Sequence, residues 1–564
     1  MGKILVITEK PSVGKDCADY LECKEKHKGY IEGDKYIVSW ALGHLISLKD
    51  PEEYNPDWKI WDINKLPIIP ENFDLKILKD TKEQFEIVKK LINRKDVTSL
   101  VNAGDSAREG ELIQRYIYNM AGNTKPIKRL WISSTTRAAI AEGFANLRDS
   151  SEFDSLYESA LARSHIDWLY GMNYTRAFTK KFGNGKVVLS TGRCQTPLLK
   201  LVVDRDKEID TFVPTPYYEI QGDFKDYQGK YINAKGTSKI ETKEEAERII
   251  SLIKNKEGLV TDVTEEKKSV VAPQLYNLNS LSQKMNSKYG FSAQKTLDVL
   301  QRLYEIHKIA TYPRASAKVM SNSIFDEFKT NINYINFGEF SKYVPELNII
   351  KSKRFVDDTK IEDHHAIIPD FKNPNISSIY KKLNTDEKKV FDELINSVLA
   401  AFMPNYEYNS TTINTNVNGY NFITKGKQVV KLGWKTLYND EKDFDEVDNI
   451  TTKVNKGDRK KLIKSTILSK MTKPKSRYTE AELLKAMAKY GIGTSATMSS
   501  LIETLKKRKY VSEKGKALIS TPLGKEFISI IPIEDIKSVE LTSDIENDLE
   551  QIVEGKLKRK DLEQ

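Results

Sequence analysis

Ser99-Leu100-Val101-Asn102-Ala103-Gly104-Asp105-Ser106-Ala107-Arg108-Glu109-Gly110-Glu111 is the stretch that decides the fold. Ser99 to Asn102 reads as a short buried strand that runs into Asp105. Leu112, Ile113, Tyr116 and Ile117 then recur at helical spacing. The order strand, acidic loop, helix also opens the chain. Ile4-Leu5-Val6-Ile7 is a strand, Glu9-Lys10-Pro11-Ser12 follows, and Ser12 is placed to cap the next helix. In open α/β sheets ligands gather beyond the carboxyl ends of the strands. Glu9 and Asp105 each fall at such an end, so the fold is expected to bring them together. Two acidic motifs meeting there have the form of a metal site rather than of surface salt bridges.

A second stretch, Ile309-Ala310-Thr311-Tyr312-Pro313-Arg314, adds a different chemistry. Tyr312 can supply a phenolate oxygen to a phosphodiester, and the Arg314 guanidinium matches phosphate oxygens in a bidentate fork. Alone the triplet is an ordinary turn or strand end. Beside two acidic motifs in a basic chain it points to DNA strand transfer.

The bulk numbers set limits. The 564 residues suit about four domains, and with 39% hydrophobic and 30% charged residues the chain reads as globular. No apolar run approaches the ~20 residues of a membrane span, and no signal-peptide pattern precedes Ile4. Cys17, Cys23 and Cys194 lack Cys-x-x-Cys spacing, so neither a disulfide framework nor a zinc ribbon is supported. These features lead to an expected cytoplasmic, DNA-associated location and no membrane partner. The net charge of +10 permits nucleic-acid binding. The basic residues cluster at Arg459–Arg477 and at Lys506, Lys507, Arg508 and Lys509.

Outward from the first ~145 residues the pattern changes several times. Residues ~150–210 read as helical. Residues ~215–270 are β-rich around a helix at Lys243–Asn255, and ~405–470 are β-rich again. Between them lies a mostly helical insert that carries Tyr312. The last ~85 residues read helix (Glu480–Lys489), helix (Ala496–Lys507), hairpin, with Gly491 and Gly493 between the helices and Gly515 at a wing.

A series of blocks in order resembles the type IA DNA topoisomerases, in particular bacterial topoisomerase III. Glu9-Lys10-Pro11-Ser12 and Asp105-x-x-Arg108-Glu109-Gly110-Glu111 resemble the two acidic elements of the TOPRIM domain. Leu130-Trp131-Ile132-Ser133-Ser134, Ala162-Arg163-Ser164-x-x-Asp167-Trp168-Leu169, Gly171-Met172-Asn173 with Thr175-Arg176-Ala177, and Gly192-Arg193-x-Gln195-Thr196-Pro197 are similar to the blocks that follow. Leu275-Tyr276-Asn277-Leu278, Gly290 to Leu297, the tyrosine motif, His364-His365-Ala366-Ile367-Ile368-Pro369, Arg477-Tyr478-Thr479-Glu480 and Gly491-Ile492-Gly493-Thr494 complete the series.

The resemblance implies a multidomain α/β plus α+β chain: a TOPRIM α/β domain, a β arch and helical winged-helix-like domains forming a toroidal ring. It divides the chain into a TOPRIM domain (1–148), a helical DNA-binding domain (149–214 and 477–564), a β-arch hinge (215–272 and 405–476) and a catalytic tyrosine domain (273–404). It implies cleavage of one DNA strand by Tyr312 through a 5′-phosphotyrosine, strand passage and religation, without ATP. Gly14-Lys15 looks like the tail of a Walker A motif, but Asp16 replaces the Ser/Thr and Glu9 stands where the first Gly belongs.

The implied roles are specific. Tyr312 is the nucleophile. Because free tyrosine has a pKa near ~10, Lys10 and Arg314 are the cations expected to ease its ionisation. Glu9 is the expected general acid, and His364 assists at the scissile phosphate. Glu9, Asp105 and Glu109 are the expected Mg²⁺ ligands, direct or through water. A single-stranded DNA segment is expected along Trp61, Arg163, Trp168, Arg176 and the loop Ser190, Thr191, Gly192, Arg193, Cys194, Gln195. A helicase partner stays open.

Three departures stand near the working parts. Ala107 replaces the second aspartate of the acidic motif, Ala315-Ser316-Ala317 replaces the usual Thr-Asp-Ser, and Met498 replaces an arginine. They leave a second reading, a single-stranded-DNA-binding relative with weakened cleavage. A third reading, a TOPRIM nuclease or primase, has no need of Tyr312 or of the downstream blocks. The family's C-terminal zinc modules do not occur in this sequence or lie beyond it.

Overall fold

The computed structural model describes residues 2–132, 137–183, 187–361, 364–438, 450, 453–494 and 497–564. Ser133 and Ser134 of one quoted block, and Ala496 at the expected start of a helix, lie outside these residues.

The strand Lys3–Thr8 is central in a seven-stranded sheet. It pairs in parallel with Tyr36–Trp40 on one side and with Val97–Ala103 on the other, and Thr8 is aligned with Ala103. Leu5, Val6, Ile7, Leu100 and Val101 are buried on both faces of the sheet, the near-continuous apolar pattern of a covered parallel strand. This register sets Glu9 one residue and Asp105 two residues beyond adjoining strand ends. The first helix, Pro11–Tyr20, begins on a proline, whose fixed φ suits the first helical position. Ser12 therefore does not cap it. Its hydroxyl instead meets Tyr304 Oη at 3.5 Å.

The second helix, Arg108–Ala121, starts directly after the acidic loop. A Cβ on Gly110 would lie 2.3 Å from the Asp105 carbonyl oxygen, so glycine allows the helix to approach that loop. The helices Asp154–Phe182 and Gln195–Asp210 follow.

Residues 216–270 and 406–471 form one sheet, in the strand order Arg459–Lys461, Glu257–Val270, Tyr406–Val417, Tyr420–Lys431, Gln228–Ile232, Pro216–Asp223, Lys464–Met471. Its two edge strands are joined by Leu462 and Ile463 alone, so the sheet curls until its edges meet there. Strands distant in sequence thus share one sheet, and its long central strands carry the insert. The insert packs helices Leu278–Tyr289, Ala293–Glu305, Asn322–Asn331 and Thr385–Phe402 around its own core.

The C-terminal part has helices Glu480–Tyr490 and Met498–Lys507 and the hairpin Val511–Lys514 with Ala517–Ser520. Gly491 and Gly493 lie between the helices at φ +65° and +77°. The insert docks on both neighbours. Tyr304 reaches the first helix, while the Ala293 N–H donates to Glu480 at 2.6 Å and the Ala481 N–H to Asn286 at 3.1 Å. The ring is closed in this conformation. Among the described residues no helix is long and apolar enough to cross a membrane.

Candidate active site

The Asp105 loop is fixed from beneath by a buried ion pair. Arg129, fully buried, donates to Glu111 at 3.0 Å, to the Gly104 carbonyl at 2.7 Å and to the Asp105 carbonyl at 2.7 Å. Asn102 and Arg115 complete the Glu111 carboxylate at 3.0 and 2.7 Å. Glu111 of the acidic motif is thus a structural anion and not a ligand.

Above this base, the Asp105 N–H donates to Glu9 at 3.3 Å, and the Lys10 ammonium donates to Asp105 Oδ2 at 2.5 Å while lying 3.7 Å from Glu9. His364 Nε2 is 3.4 Å from the same Asp105 oxygen. Against the pull of burial, His364 and Lys10 hold the Asp105 carboxyl well below the usual carboxylate range. Burial and the neighbouring Asp105 push Glu9 up to about 7.

Tyr312 lies on the insert side of this cluster. Its loop is docked on the His364–Pro369 stretch, since the Thr311 N–H donates to the Ile368 carbonyl at 3.0 Å and the Ile368 N–H to Thr311 Oγ1 at 3.0 Å. The Tyr312 ring is 4.2 Å from the His364 ring, and the Lys10 ammonium lies 3.9 Å from its centroid. Tyr304 stands edge-on to it at 5.7 Å. Glu9, Lys10, Asp105, Tyr312 and His364 are therefore one cluster across the boundary between the N-terminal domain and the insert.

Several expectations need correction. Lys10 does favour the phenolate, but burial outweighs it, and the Tyr312 hydroxyl is held above its ordinary pKa. Arg314 is not part of this cluster among the described residues; its Nε is buried with no hydrogen-bond partner there. Glu109 turns away to His44, 2.5 Å distant, and among the described residues no three His, Cys, Asp or Glu side chains converge as a metal site. Trp168 is 8% exposed, gives its indole N–H to the Lys49 carbonyl at 3.0 Å, and packs edge-on against Tyr54 and Phe73. It is core packing and offers no open face to a base.

The metal test is therefore divided. Glu9 and Asp105 supply two oxygen donors whose mutual repulsion a divalent ion would relieve, which fits an ion that keeps most of its waters. Glu109 can serve only through water in this conformation.

The remaining expected DNA-binding residues surround the long helix Asp154–Phe182. Arg176 lies over Trp61, 5.4 Å from the ring centroid, and its Nε is buried and unpartnered. Arg163 is half-buried, 3.9 Å from Asp167. Arg193, with a side chain 1% exposed, pairs with Asp167 at 2.7 Å and Glu546 at 2.9 Å. The Thr175 hydroxyl donates to the Thr191 carbonyl at 3.3 Å and accepts from the Thr191 N–H at 3.0 Å, the Ser190 carbonyl accepts from Gln195 at 3.3 Å, and Gln195 accepts from Arg508. Gly192 binds Thr196, and Cys194 precedes the helix that starts at Gln195. Most polar groups of this loop already have partners, while two buried Arg193 nitrogens make no hydrogen bond among the described residues, so DNA must exchange with several existing partners. Lys506 is likewise bound by Glu480, Glu503 and Glu513.

Two of the three departures have contacts of their own in the structure. Ala315 is fully buried, and Asn277 donates to the Ser316 carbonyl at 2.8 Å, which holds the loop without the usual side chains. Met498 Sδ receives the Asn279 amide at 3.1 Å. Ala107 keeps only backbone bonds in the acidic loop. Sequence reasoning missed Arg129, His44 and Tyr304. Arg129, beside the Leu130-Trp131 block, carried the only local signal.

Comparison with known proteins agrees with this architecture. Residues 4–135 match the Toprim domain and residues 151–564 match the family described as DNA topoisomerase. The chain is 39% identical to DNA topoisomerase 3 of Bacillus subtilis, over 99% of this chain and 79% of that protein. It is 38% identical to DNA topoisomerase 3 of Bacillus licheniformis over the same shares. Full-length topoisomerase I from Thermotoga maritima superposes with a TM-score of 0.73 at 25% identity, covering 99% of this chain and 88% of that one. With the TOPRIM sheet, the curled β arch and the inserted tyrosine domain all present, the chain belongs to the type IA DNA topoisomerases.

Proposed function

We propose that Tyr312 is the nucleophile of this topoisomerase and that Lys10, His364 and Glu9 serve the same phosphodiester. The observation that carries the reading is the packing of the Tyr312 ring against Lys10 and His364, both of which also contact Asp105. The phenol releases its proton to water as its oxygen attacks phosphorus, the bond to the 3′ oxygen breaks, and the enzyme is left joined to the 5′ phosphate. Glu9 donates the proton that the 3′ oxygen takes up, a step typically worth about 10²–10⁴-fold. Lys10 lies close enough to receive phosphate charge once it exchanges Asp105 for the strand. Arg314, with an unpartnered buried nitrogen, is the proposed second phosphate contact. His364 holds Asp105 in place. In religation the 3′ hydroxyl attacks the phosphotyrosine and the steps reverse.

Mg²⁺ is the proposed divalent ion, held by Glu9 and Asp105 with Glu109 through water, and when bound it supplies positive charge against phosphate. Single-stranded DNA is proposed to follow Trp61, Arg163, Arg176 and the Ser190–Gln195 loop, with Arg193 exchanging its carboxylates for phosphates. The division at residues 148, 214, 272, 404 and 476 is proposed as the set of moving parts, and the chain is proposed to work on cytoplasmic DNA. A helicase partner is consistent with this role. The test is relaxation of negatively supercoiled DNA by the parent protein, Tyr312→Phe and Lys10→Ala. Loss of relaxation in Tyr312→Phe supports the assignment; full relaxation by that variant rejects it.

A further inference from the structure

A cavity opens beside the catalytic cluster and is shared between its groups and other residues of the insert. Lys10, Tyr312 and His364 line it together with Thr311, His365, Asp370 and Lys372, and Val13, Ile324 and Tyr304 complete its wall. The proposed cleavage step uses none of Thr311, His365, Asp370 and Lys372.

We propose that the part of this cavity lined by Thr311, His365, Asp370 and Lys372 receives the nucleoside on the enzyme-linked side of the cut, and that His365 and Asp370 read its base. The proposal rests on Tyr312 being the nucleophile. After attack the 5′ phosphate is bonded to the Tyr312 oxygen, so the nucleoside it carries must lie beside that residue. His365, Asp370, Lys372 and Thr311 all belong to the insert, so such a pocket would travel with the tyrosine when the ring opens. It would hold the tethered end in register for religation.

The chemistry of the walls is selective. His365 is 8% exposed, and its Nδ1 lies 2.8 Å from the Ala366 carbonyl, an acceptor, so Nδ1 carries the hydrogen. Nε2 is then a lone-pair acceptor with no hydrogen-bond partner among the described residues. Burial pushes the ring down to about 4, which keeps it neutral at working pH. Asp370 is a second acceptor; one carboxylate oxygen takes the Lys372 N–H at 3.1 Å. Burial raises that carboxyl, and a donor from a base would favour its ionised form. Thr311 is committed to backbone, bonded to Ala366 and Ile368. Two acceptors in one cavity favour a base edge with two donor hydrogens. The amino group of adenine, cytosine or guanine supplies them, whereas thymine offers only its single N3–H between two carbonyl acceptors. Lys372, exposed at the rim, suits the next phosphate.

The experiment incubates the protein with a random-sequence single-stranded DNA pool, stops it with denaturant, and sequences the protein-linked strands from the cut. The parent protein is expected to show thymine depleted roughly fivefold at the first position 3′ of the cut. Asp370→Asn and His365→Gln, which add a donor, are expected to admit thymine there while adducts still form. A uniform base distribution at that position in the parent overturns the proposal, and needs no variant to fold. Depletion unchanged in both variants also overturns it. No adduct from the parent overturns the Tyr312 assignment, and this proposal falls with it.

Discussion

Lys10 carries its ammonium 3.9 Å from the centroid of the Tyr312 ring while donating to Asp105 at 2.5 Å. One cation thus spans the boundary between the TOPRIM domain and the insert. The arrangement stores the tyrosine in its protonated form, because burial outweighs the pull of Lys10. A strand entering the site supplies the phosphate toward which that cation can turn.

Lys10→Ala should therefore slow single-turnover cleavage by roughly 10²–10³-fold, the scale of losing one preorganised charge at a reacting oxygen. Lys10→Arg should recover part of the rate. Quenched-flow measurement on a labelled oligonucleotide checks both, and an unchanged rate in Lys10→Ala would remove Lys10 from the mechanism.

Glu111 and Arg129 make a fully buried pair beneath the Asp105 loop, at 3.0 Å. Removing one partner strands the other charge, so Arg129→Met should cost about 3–5 kcal/mol in urea unfolding. Replacing both by apolar residues should cost less. A single-variant loss under 1 kcal/mol would show that the pair is not what supports the loop.

Trp61 and Trp168 should separate cleanly. Trp61→Ala should weaken single-stranded DNA binding by about 1–3 kcal/mol, the scale of one stacked base. Trp168→Ala should lower stability by about 3–5 kcal/mol through loss of packing. Its effect on DNA affinity at a temperature where the protein stays folded should be small. Fluorescence anisotropy with thermal melts distinguishes the two outcomes.

Glu327 gives a pH test away from the catalytic cluster. Burial pushes its carboxyl up to about 7, against an ordinary 4.5. A raised carboxyl favours folding below its unfolded pKa, and that contribution is lost as pH rises through about 7. The melting temperature of the parent should therefore fall relative to Glu327→Gln between pH 5 and pH 8. A constant difference across that range would mean Glu327 titrates normally.

The strand-end logic at Glu9 and Asp105 was legible because two apolar runs each ended in an acidic loop, and the parallel register does set those loops side by side. The split β arch was legible from composition, since two β-rich segments flank one helical insert. What stayed hidden depends on burial and long-range pairing. Trp168 and Trp61 are both single tryptophans in the sequence, and only the packing of Tyr54 and Phe73 assigns the first to the core. Lys506 belonged to a basic run, yet Glu480 and Glu513 from other segments enclose it together with Glu503 of its own helix. Glu109 matched a ligand motif, but His44, 65 residues upstream, takes it. No local pattern encodes these partners.

The most direct test is to incubate end-labelled single-stranded DNA with the protein and with Tyr312→Phe, denature, and digest any protein–DNA adduct for peptide mapping. The expected result is an adduct from the parent alone, with the nucleotide on the peptide that contains Tyr312. An adduct on another residue, or one of equal yield from Tyr312→Phe, would contradict the assignment on which the mechanism rests.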